Sequence, residues 1–238
     1  MGQSLVRRWV TDNSRCGYGR RRAVAAAGRL PDFMPRAVPM FYVLRHGETE
    51  WNRLGLLQGK QDSPLTALGR AQAAAMGACI AALAGETADL ALWSSTLGRA
   101  RETAAIVARV LGLDAAAIHH DARLAELDHG TWEGRSFTQI KYDEPAAWAA
   151  RYRDKFRNPL PGGESYIDAL ARARAWAGER DHAARHVVIG HGSFNRMLVA
   201  ALTGLDPETL LDLAGPQDAV IVIEGRDWRF EEVQPPAP

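Results

Sequence analysis

The stretch FYVLRHGETEWN, residues 41–52, joins a run of four apolar residues to a cluster of polar ones. Phe41 to Leu44 has the length and apolar character of a strand buried on both faces. Ligands of open α/β sheets bind beyond the carboxyl ends of the strands, so Arg45 and His46 stand where a ligand would be met. The stretch therefore predicts both a central strand and a candidate site.

From residue 41 onward, short apolar runs alternate with longer helical ones, which is typical of an α/β sheet with crossover helices. Strands are predicted over 41–45, 89–93, 186–190 and 219–224, with 228–233 as an edge hairpin partner. Helices are predicted over 66–84, 98–111 and 165–178, from Phe194 to a stop at Gly204, and briefly after Asp206-Pro207. We expect a three-layer α/β/α sandwich with a mostly parallel central sheet. Residues 112–164 are less regular and are interpreted as an insertion over one sheet edge, with helical character from 137 to 156.

Composition narrows the class of protein. The chain has 238 residues and a net charge of +1, and its cysteines are Cys16 and Cys79. This length fits one domain plus a tail, and two cysteines supply neither a disulfide framework nor a thiolate metal cage. No apolar run approaches the roughly 18 to 20 residues that cross a bilayer. We expect a soluble protein of the reducing cytoplasm that contacts no membrane, and the small net charge disfavours a nucleic-acid partner.

Residues 1–39 form a compositionally separate tail. They carry eight arginines and two aspartates, a net charge of +6, and they contain repeated glycine and proline. We interpret the tail as disordered and place the domain at 40–238. A targeting peptide, a polyanion-binding arm and translated upstream sequence are three explanations of it. We favour the third, because the tail is poor in serine and has no long apolar segment.

Polar residues also follow two other predicted strands. The second strand leads through Ser94-Ser95 to Arg99, and the third ends in Gly190-His191-Gly192. Two arginines and two histidines then meet at one sheet edge. A phosphoryl dianion suits guanidinium forks and helix N-termini, and a histidine nucleophile needs a neutral ring nitrogen. Gly47 and Gly192 are predicted to allow close approach of the backbone to a ligand.

Four motifs in order resemble the histidine phosphatase superfamily, the family of cofactor-dependent phosphoglycerate mutases and their phosphatase relatives. The motifs are Leu44 to Asn52, Gln58-Gly59 with Pro64-Leu65-Thr66, Ser94 to Ala104, and Gly190-His191-Gly192. The resemblance covers about Met40 to Glu232. It implies a phosphohistidine on His46, phosphoryl oxygens held by Arg45, Arg99 and His191, and further phosphate contacts from Asn52 and Gln58. It implies no metal and no cofactor.

The segment Leu124 to Gly134 resembles the acid segment of the family. Glu126 is accordingly the predicted general acid, with Asp128 as the fallback, and a nearby phosphate would keep Glu126 protonated near neutral pH only with substrate bound. The Trp132-Glu133-Gly134 ending resembles the phosphatase members, which favours hydrolysis of a small phosphomonoester. Phosphoglycerate mutase-type transfer stays the alternative. His129 and Ser193-Phe194-Asn195 depart from the usual pattern.

Several other interpretations stay open. The chain could be a non-catalytic phosphoprotein-binding member, or a metal hydrolase using His119, His120 and Asp121, although adjacent strand residues point to opposite faces. The basic run Arg151, Arg153, Lys155 and Arg157 is either a second anion site or a solvated face. A homodimer is possible, but the sequence does not show the oligomeric state.

Overall fold

The computed structural model describes residues 40–181 and 183–234. The predictions for the tail at 1–39 therefore lie outside the described residues.

The described residues form one six-stranded sheet of order β3-β2-β4-β1-β5-β6. The pairs β1–β4, β2–β4 and β2–β3 are parallel, whereas β5 is antiparallel to β1 and β6 to β5. The sheet is thus parallel from β3 to β1 and antiparallel from β1 to β6. The predicted hairpin partner is present as β6. The unpredicted strand β3 has only two residues, too few for a periodic signal. The strands are β1 (Met40–Arg45), β2 (Leu90–Ser94), β3 (His119–His120), β4 (Arg185–Gly190), β5 (Ala219–Glu224) and β6 (Asp227–Glu232).

Helices cover both faces of the sheet, as the α/β/α prediction requires. Phe41 and Val43 of β1 point into one core and Tyr42 and Leu44 into the other, which follows from the two-residue period of a strand. Because both sets are apolar, β1 is buried on both faces. The helices are α1 (Glu50–Arg53), α2 (Ala67–Ala84), α3 (Gly98–Leu111), α4 (Phe137–Asp143), α5 (Pro145–Arg153), α6 (Tyr166–Ala177) and α7 (Gly192–Thr203).

The two cores belong to different helix pairs. Helices α2 and α3 pack together over the core that contains Tyr42 and Leu44, and α6 and α7 over the core that contains Phe41 and Val43. The predicted helices match these elements to within one or two residues, except after Asp206, where residues Pro207–Leu210 form a 3₁₀ turn. The irregular segment contributes β3 to the sheet edge and Ile140 and Phe156 to the α6–α7 core.

By length and composition α2 is apolar enough to span a membrane. In this fold it packs on α3 and turns Ala73, Met76 and Ile80 into the core. One face of α2 is thus buried in the α2–α3 layer of the fold.

The turn after β1 lies directly against the start of α2. A Cβ added at Gly47 would stand 2.1 Å from the carbonyl oxygen of Gly69, and one at Gly69 would stand 2.0 Å from the carbonyl oxygen of Glu48. We predicted that Gly47 lets a ligand approach, but the group that approaches is the backbone of α2. This contact fixes the position of His46 at the sheet edge.

We therefore expect Gly69→Ala to destabilise the fold by about 2 kcal/mol or more, because the new methyl group overlaps backbone that has no room to move. Helix propensity alone would give the opposite sign, since alanine is the better helix former by about 1 kcal/mol. Urea unfolding measures the change. Ala78→Gly, at an exposed position of α2, is the comparison and should cost only about 1 kcal/mol. A stabilised Gly69→Ala protein would show that the two segments are not in contact.

Candidate active site

A cavity of about 460 Å³ lies at the carboxyl ends of β1, β2 and β4. Every residue that the sequence placed in the site either lines this cavity or touches a residue that does. The lining residues among them are Arg45, His46, Asn52, Gln58, Arg99, Glu126 and Gly192. His191 stands beside them, with its ring centroid 5.1 Å from that of His46.

His46 is 3 % exposed and both of its ring nitrogens have partners. Nδ1 lies 2.8 Å from the carbonyl oxygen of Gly47, and Nε2 lies 3.2 Å from Nε of Arg99. A carbonyl only accepts and a guanidinium only donates, so the proton belongs on Nδ1 and the lone pair on Nε2. Burial, and then the charges of Arg45 and Arg99, hold the pKa of His46 well below its usual value. The ring is therefore neutral at pH 7, with its lone pair toward the cavity cations.

Arg99 is fixed from several sides. Its Nη2 donates to the Gly59 carbonyl at 2.8 Å, and Nη1 donates to the Gln61 carbonyl at 2.6 Å and to Asp62 Oδ1 at 3.0 Å. The Arg99 backbone N–H also donates to the Asp62 carboxylate. The sequence reasoning missed Asp62, which lies in a loop with no motif of its own. Its role is visible only because the fold brings that loop to the start of α3.

Buried polar atoms without a partner concentrate at this cavity. Among the described residues, Nε of Arg45, both ring nitrogens of His191 and Nδ1 of His129 lack one, and Trp176 Nε1 is the remaining case. Buried polar groups nearly always find a partner, so such a concentration calls for an explanation. Arg45 is otherwise held only by the Gly215 carbonyl, at 2.7 Å. A bound anion would accept from Arg45 and from an imidazole N–H.

His191 resembles His46 in its electrostatics. It has no exposed surface, and burial, followed by the charges of Arg99, His46 and Arg45, holds its pKa well below the usual value. Two buried neutral imidazoles thus stand side by side next to two cationic side chains.

Glu126 binds the N-terminal turn of α7. Its carboxylate accepts from the backbone N–H groups of Leu127 at 2.9 Å, Phe194 at 2.9 Å and Ser193 at 3.1 Å. Burial raises the pKa of this carboxyl, but the charge of His129 and these N–H groups outweigh burial and bring the pKa below its ordinary value. Without substrate, Glu126 is therefore ionised at neutral pH. The fallback acid, Asp128, accepts from the Gly130 N–H at 2.8 Å and is not among the residues that line the cavity.

Asn52 and Gln58 belong to one hydrogen-bonded group. Gln58 Nε2 donates to Thr49 Oγ1 at 2.8 Å, and Asn52 Oδ1 accepts from the Thr49 N–H at 3.1 Å and from Gln217 Nε2 at 2.8 Å. Gln58 is buried and is therefore not a solvated loop residue. Whether either amide contacts phosphate stays a prediction.

Asn195 and Thr103 are positioning residues that the sequence did not identify. Asn195 Nδ2 donates to the Leu44 carbonyl at 2.9 Å and its Oδ1 accepts from the His191 N–H at 3.2 Å, which ties the ends of β1 and β4 together. Thr103 Oγ1 accepts from the Gly47 N–H at 3.1 Å and donates to the Arg99 carbonyl at 2.8 Å. The unusual Asn195 after the second histidine motif was the one available signal.

The residues proposed for metal binding lie elsewhere. His119 and His120 are exposed in β3, and Asp121 forms an ion pair with Arg123 at 2.8 Å. Over residues 40–181 and 183–234, no group of three or more His, Cys, Asp or Glu side chains is arranged to hold an ion. The geometry gives the metal-hydrolase alternative no support.

Buried neutral histidines beside arginines at the carboxyl ends of parallel strands suit an enzyme that acts on phosphate esters. The sequence profile of the histidine phosphatase superfamily (branch 1) matches residues 41–235, and the chain belongs to this family. The family contains both phosphatases and mutases.

Individual relatives divide between these two activities. The probable phosphoglycerate mutase GpmB of Salmonella paratyphi C is 37 % identical over 168 residues, which are 69 % of this chain and 74 % of that protein. A mycobacterial glucosyl-3-phosphoglycerate phosphatase, solved with VO₃, is 29 % identical with a TM-score of 0.65 over 82 % of this chain and 97 % of its own. A putative α-ribazole-5′-P phosphatase of Escherichia coli shares the fold at 23 % identity, with a TM-score of 0.69 over 82 % and 96 % of the two chains.

The lowered pKa values of His46 and His191 predict a stability loss in mild acid. Because the folded state favours the neutral rings, their contribution is complete above the unfolded pKa near 6.5 and is lost as pH falls toward the folded values. Each ring can remove up to about 1.4 kcal/mol of unfolding free energy per pH unit in that window. Urea unfolding at pH 7.5 and 5.5 measures the loss. His46→Asn should lose less unfolding free energy than the wild type, whereas His119→Asn, at an exposed position, should lose as much as the wild type. Equal losses in all three proteins would contradict the assignment.

Proposed function

We propose that this protein hydrolyses phosphomonoesters through a covalent phosphohistidine on His46. The observation that carries the proposal is the neutral His46 ring, whose Nε2 lone pair is held by Arg99 at a cavity with unpartnered buried donors. A neutral imidazole is the nucleophilic form, and preorganised cations stabilise the charge that spreads over the transferring phosphoryl oxygens.

In the first half-reaction, the hydrogen bond from Arg99 Nε to His46 Nε2 breaks, the freed Nε2 lone pair attacks phosphorus, and the bond to the ester oxygen breaks. The departing alkoxide takes the proton of the Glu126 carboxyl and leaves as an alcohol. Arg45, Arg99 and His191 bind the phosphoryl oxygens throughout, and the Nδ1 proton shared with the Gly47 carbonyl stabilises the ring as it loses its lone pair.

In the second half-reaction, water attacks phosphorus from the side that the alcohol left. Glu126, now a carboxylate, takes a proton from this water as the new P–O bond forms and the P–N bond breaks. The products are inorganic phosphate, the neutral His46 ring and protonated Glu126. One ester and one water are thus converted to one alcohol and one phosphate.

Glu126 needs a proton that it does not hold in the free enzyme, because its pKa is lowered there. Arrival of a phosphoryl dianion raises a neighbouring carboxyl pKa by like-charge repulsion. Proton uptake is therefore coupled to substrate binding, or the proton arrives with the substrate monoanion.

Phosphoglycerate mutase-type transfer is the second candidate, because the curated relatives at 37 % identity are named as probable mutases. In that reaction the phosphohistidine would pass its phosphoryl group to a hydroxyl of a sugar acid instead of water. Incubation with 3-phosphoglycerate separates the two: a hydrolase releases inorganic phosphate and glycerate, whereas a mutase yields 2-phosphoglycerate. A non-catalytic phosphoprotein-binding role predicts neither product.

Removing the nucleophile should abolish turnover. We expect His46→Ala to lose at least about 10³-fold in kcat on p-nitrophenyl phosphate, with or without a chelator, and the wild type to form an acid-labile phosphoprotein during turnover. Exposed His119→Ala should behave as wild type. Full activity in His46→Ala would overturn the proposal.

The general-acid role predicts a dependence on the leaving group. Glu126→Gln should lose about 10²- to 10⁴-fold in kcat on an alkyl phosphate, whose alkoxide needs the proton, and much less on p-nitrophenyl phosphate, whose phenolate does not. Steady-state rates on the two esters provide the measurement. An equal loss on both would assign Glu126 to positioning the start of α7.

The pKa of Glu126, lowered in the free protein, also predicts a difference between two pH profiles. As pH rises through this pKa the free enzyme loses the required proton, so kcat/KM should begin to fall at lower pH than kcat, which reports the substrate complex. Profiles on one alkyl phosphate, for wild type and Glu126→Gln, cancel the ionisation of the ester itself. Coincident profiles for wild type and variant would exclude Glu126 as the titrating group.

A further inference from the structure

Three arginines stand apart from the other arginines that the structure describes. With three exceptions, every arginine in the described residues is either exposed or within ion-pair distance of a carboxylate. The exceptions are Arg45, Arg151 and Arg196, and all three line the cavity. Arg151 is buried, and Arg45 and Arg196 are half-buried. A guanidinium even partly removed from water without a counter-ion is costly, so three of them at one place favour an anionic ligand.

Arg45 and Arg196 belong to one continuous surface. A Cβ at Gly192 would stand 3.4 Å from Cζ of Arg45, and Arg196 lies one helical turn further along α7 on the same face. Arg45 donates to the Gly215 carbonyl, and Arg196 Nε donates to the Leu213 carbonyl of the same loop at 2.9 Å. Arg196 therefore lies directly beside Arg45 along the cavity wall.

Tyr166 connects Arg196 to Arg151. Its hydroxyl accepts from Arg196 Nη1 at 2.7 Å, and Arg151 Cζ lies 5.4 Å from the centre of its ring. Arg151 is 6 % exposed, and its hydrogen-bond acceptors are the carbonyls of Lys155 and Asn158, which carry no charge to balance it. The Arg196–Tyr166–Arg151 cluster is thus positively charged, rigid and separate from Arg99.

Neither acidic side chain that lines the cavity lies within ion-pair distance of this cluster. Of the two carboxylates that line it, Glu126 accepts from backbone N–H groups and Asp212 is paired with Lys155. Aromatic side chains of Trp132, Phe137 and Tyr152 form part of the wall, which suits a short carbon skeleton between two charged ends.

We infer that the Arg196–Tyr166–Arg151 cluster binds a second anionic group of the substrate, so that the enzyme selects phosphomonoesters that also carry a carboxylate or a second phosphate. This inference rests on the proposed function of the His46 site. It also gives different roles to residues of the basic run at 151–157. Arg151 faces the cavity, whereas Arg157 forms exposed ion pairs with Asp154 and Glu208.

The test compares esters that differ by one anionic group. The probes are 3-phosphooxypropanoate and 4-phosphooxybutanoate, each beside its own carboxamide, and propane-1,3-diol bisphosphate beside propyl phosphate. We expect the wild type to favour at least one charged member over its neutral partner by about 10- to 100-fold in kcat/KM, since a charge-assisted contact is worth that factor. The carboxylate and bisphosphate arms identify which anion the cluster accepts. Ratios near one in every pair would overturn the inference.

Variants connect the preference to the cluster. Arg196→Gln and Arg151→Gln should each bring the ratio close to one. Arg153→Gln is the matched control, because Arg153 lies two residues from Arg151 on α5 but is exposed and does not line the cavity; it should keep the wild-type ratio. Since Arg151 also holds two carbonyls and its loss could unfold the chain, Arg196→Gln decides alone in that case. A preference that survives in Arg196→Gln would assign the selectivity elsewhere.

A binding measurement separates this inference from the proposed function. Calorimetry on His46→Asn gives dissociation constants for both members of every pair without turnover. We expect the charged member of at least one pair to bind about tenfold or more tightly than its neutral partner, with the difference lost in His46→Asn/Arg196→Gln. If the wild type turns over no ester, the proposed function fails, and this ratio still decides the inference. If the wild type hydrolyses both members of each pair equally and binding shows no difference, the inference fails and the function stands.

Discussion

The hydrogen bond from Arg99 Nε to His46 Nε2 is the interaction on which the site depends. It forces the imidazole to keep its proton on Nδ1 and its lone pair toward a cation, and it exists only because Arg99 is itself fixed by Gly59, Gln61 and Asp62. Three separate segments, namely the ends of β1 and β2 and the loop at 59–62, must be placed correctly relative to one another for this hydrogen bond to form. The close contact of Gly47 with Gly69 and the hydrogen bonds of Thr103 hold these segments in place.

Much of this arrangement was predictable, for physical reasons. Apolar runs such as Phe41 to Leu44 are buried on both faces of the sheet, and such runs carry a strong strand signal. Because parallel strands end at the same edge, His46, Arg99 and His191 had to converge once the strands were identified. Helices that begin at Thr66 or end at Gly204 were marked by their caps. These signals are local, because they depend on neighbouring residues and not on contacts between distant segments.

Other features could not be predicted, because they arise from contacts between distant segments. Asp62 accepts from the side chain and the backbone N–H of Arg99, and Asn195 donates to the Leu44 carbonyl. These partners are far away in sequence, and nothing in the neighbouring residues predicts them. The sequence also suggested the wrong partner for Gly47, since a glycine allows close approach by any group and only the fold shows that the group is α2. The ionisation state of the Glu126 carboxyl likewise depends on N–H groups of α7 that are 67 and 68 residues away.

Helix α7 begins directly after His191, and its first turn binds Glu126 through the N–H groups of Ser193 and Phe194, while Arg196 lies one turn later. A helix rises about 1.5 Å per residue and bends little over one turn. The distance from Glu126 to Arg196 is therefore set by helical pitch and not by loop conformation. In the proposed function, α7 thus sets the spacing between the two ends of the substrate, whereas side chains of the segment at 137–156, such as Phe137 and Tyr152, shape the cavity wall between them.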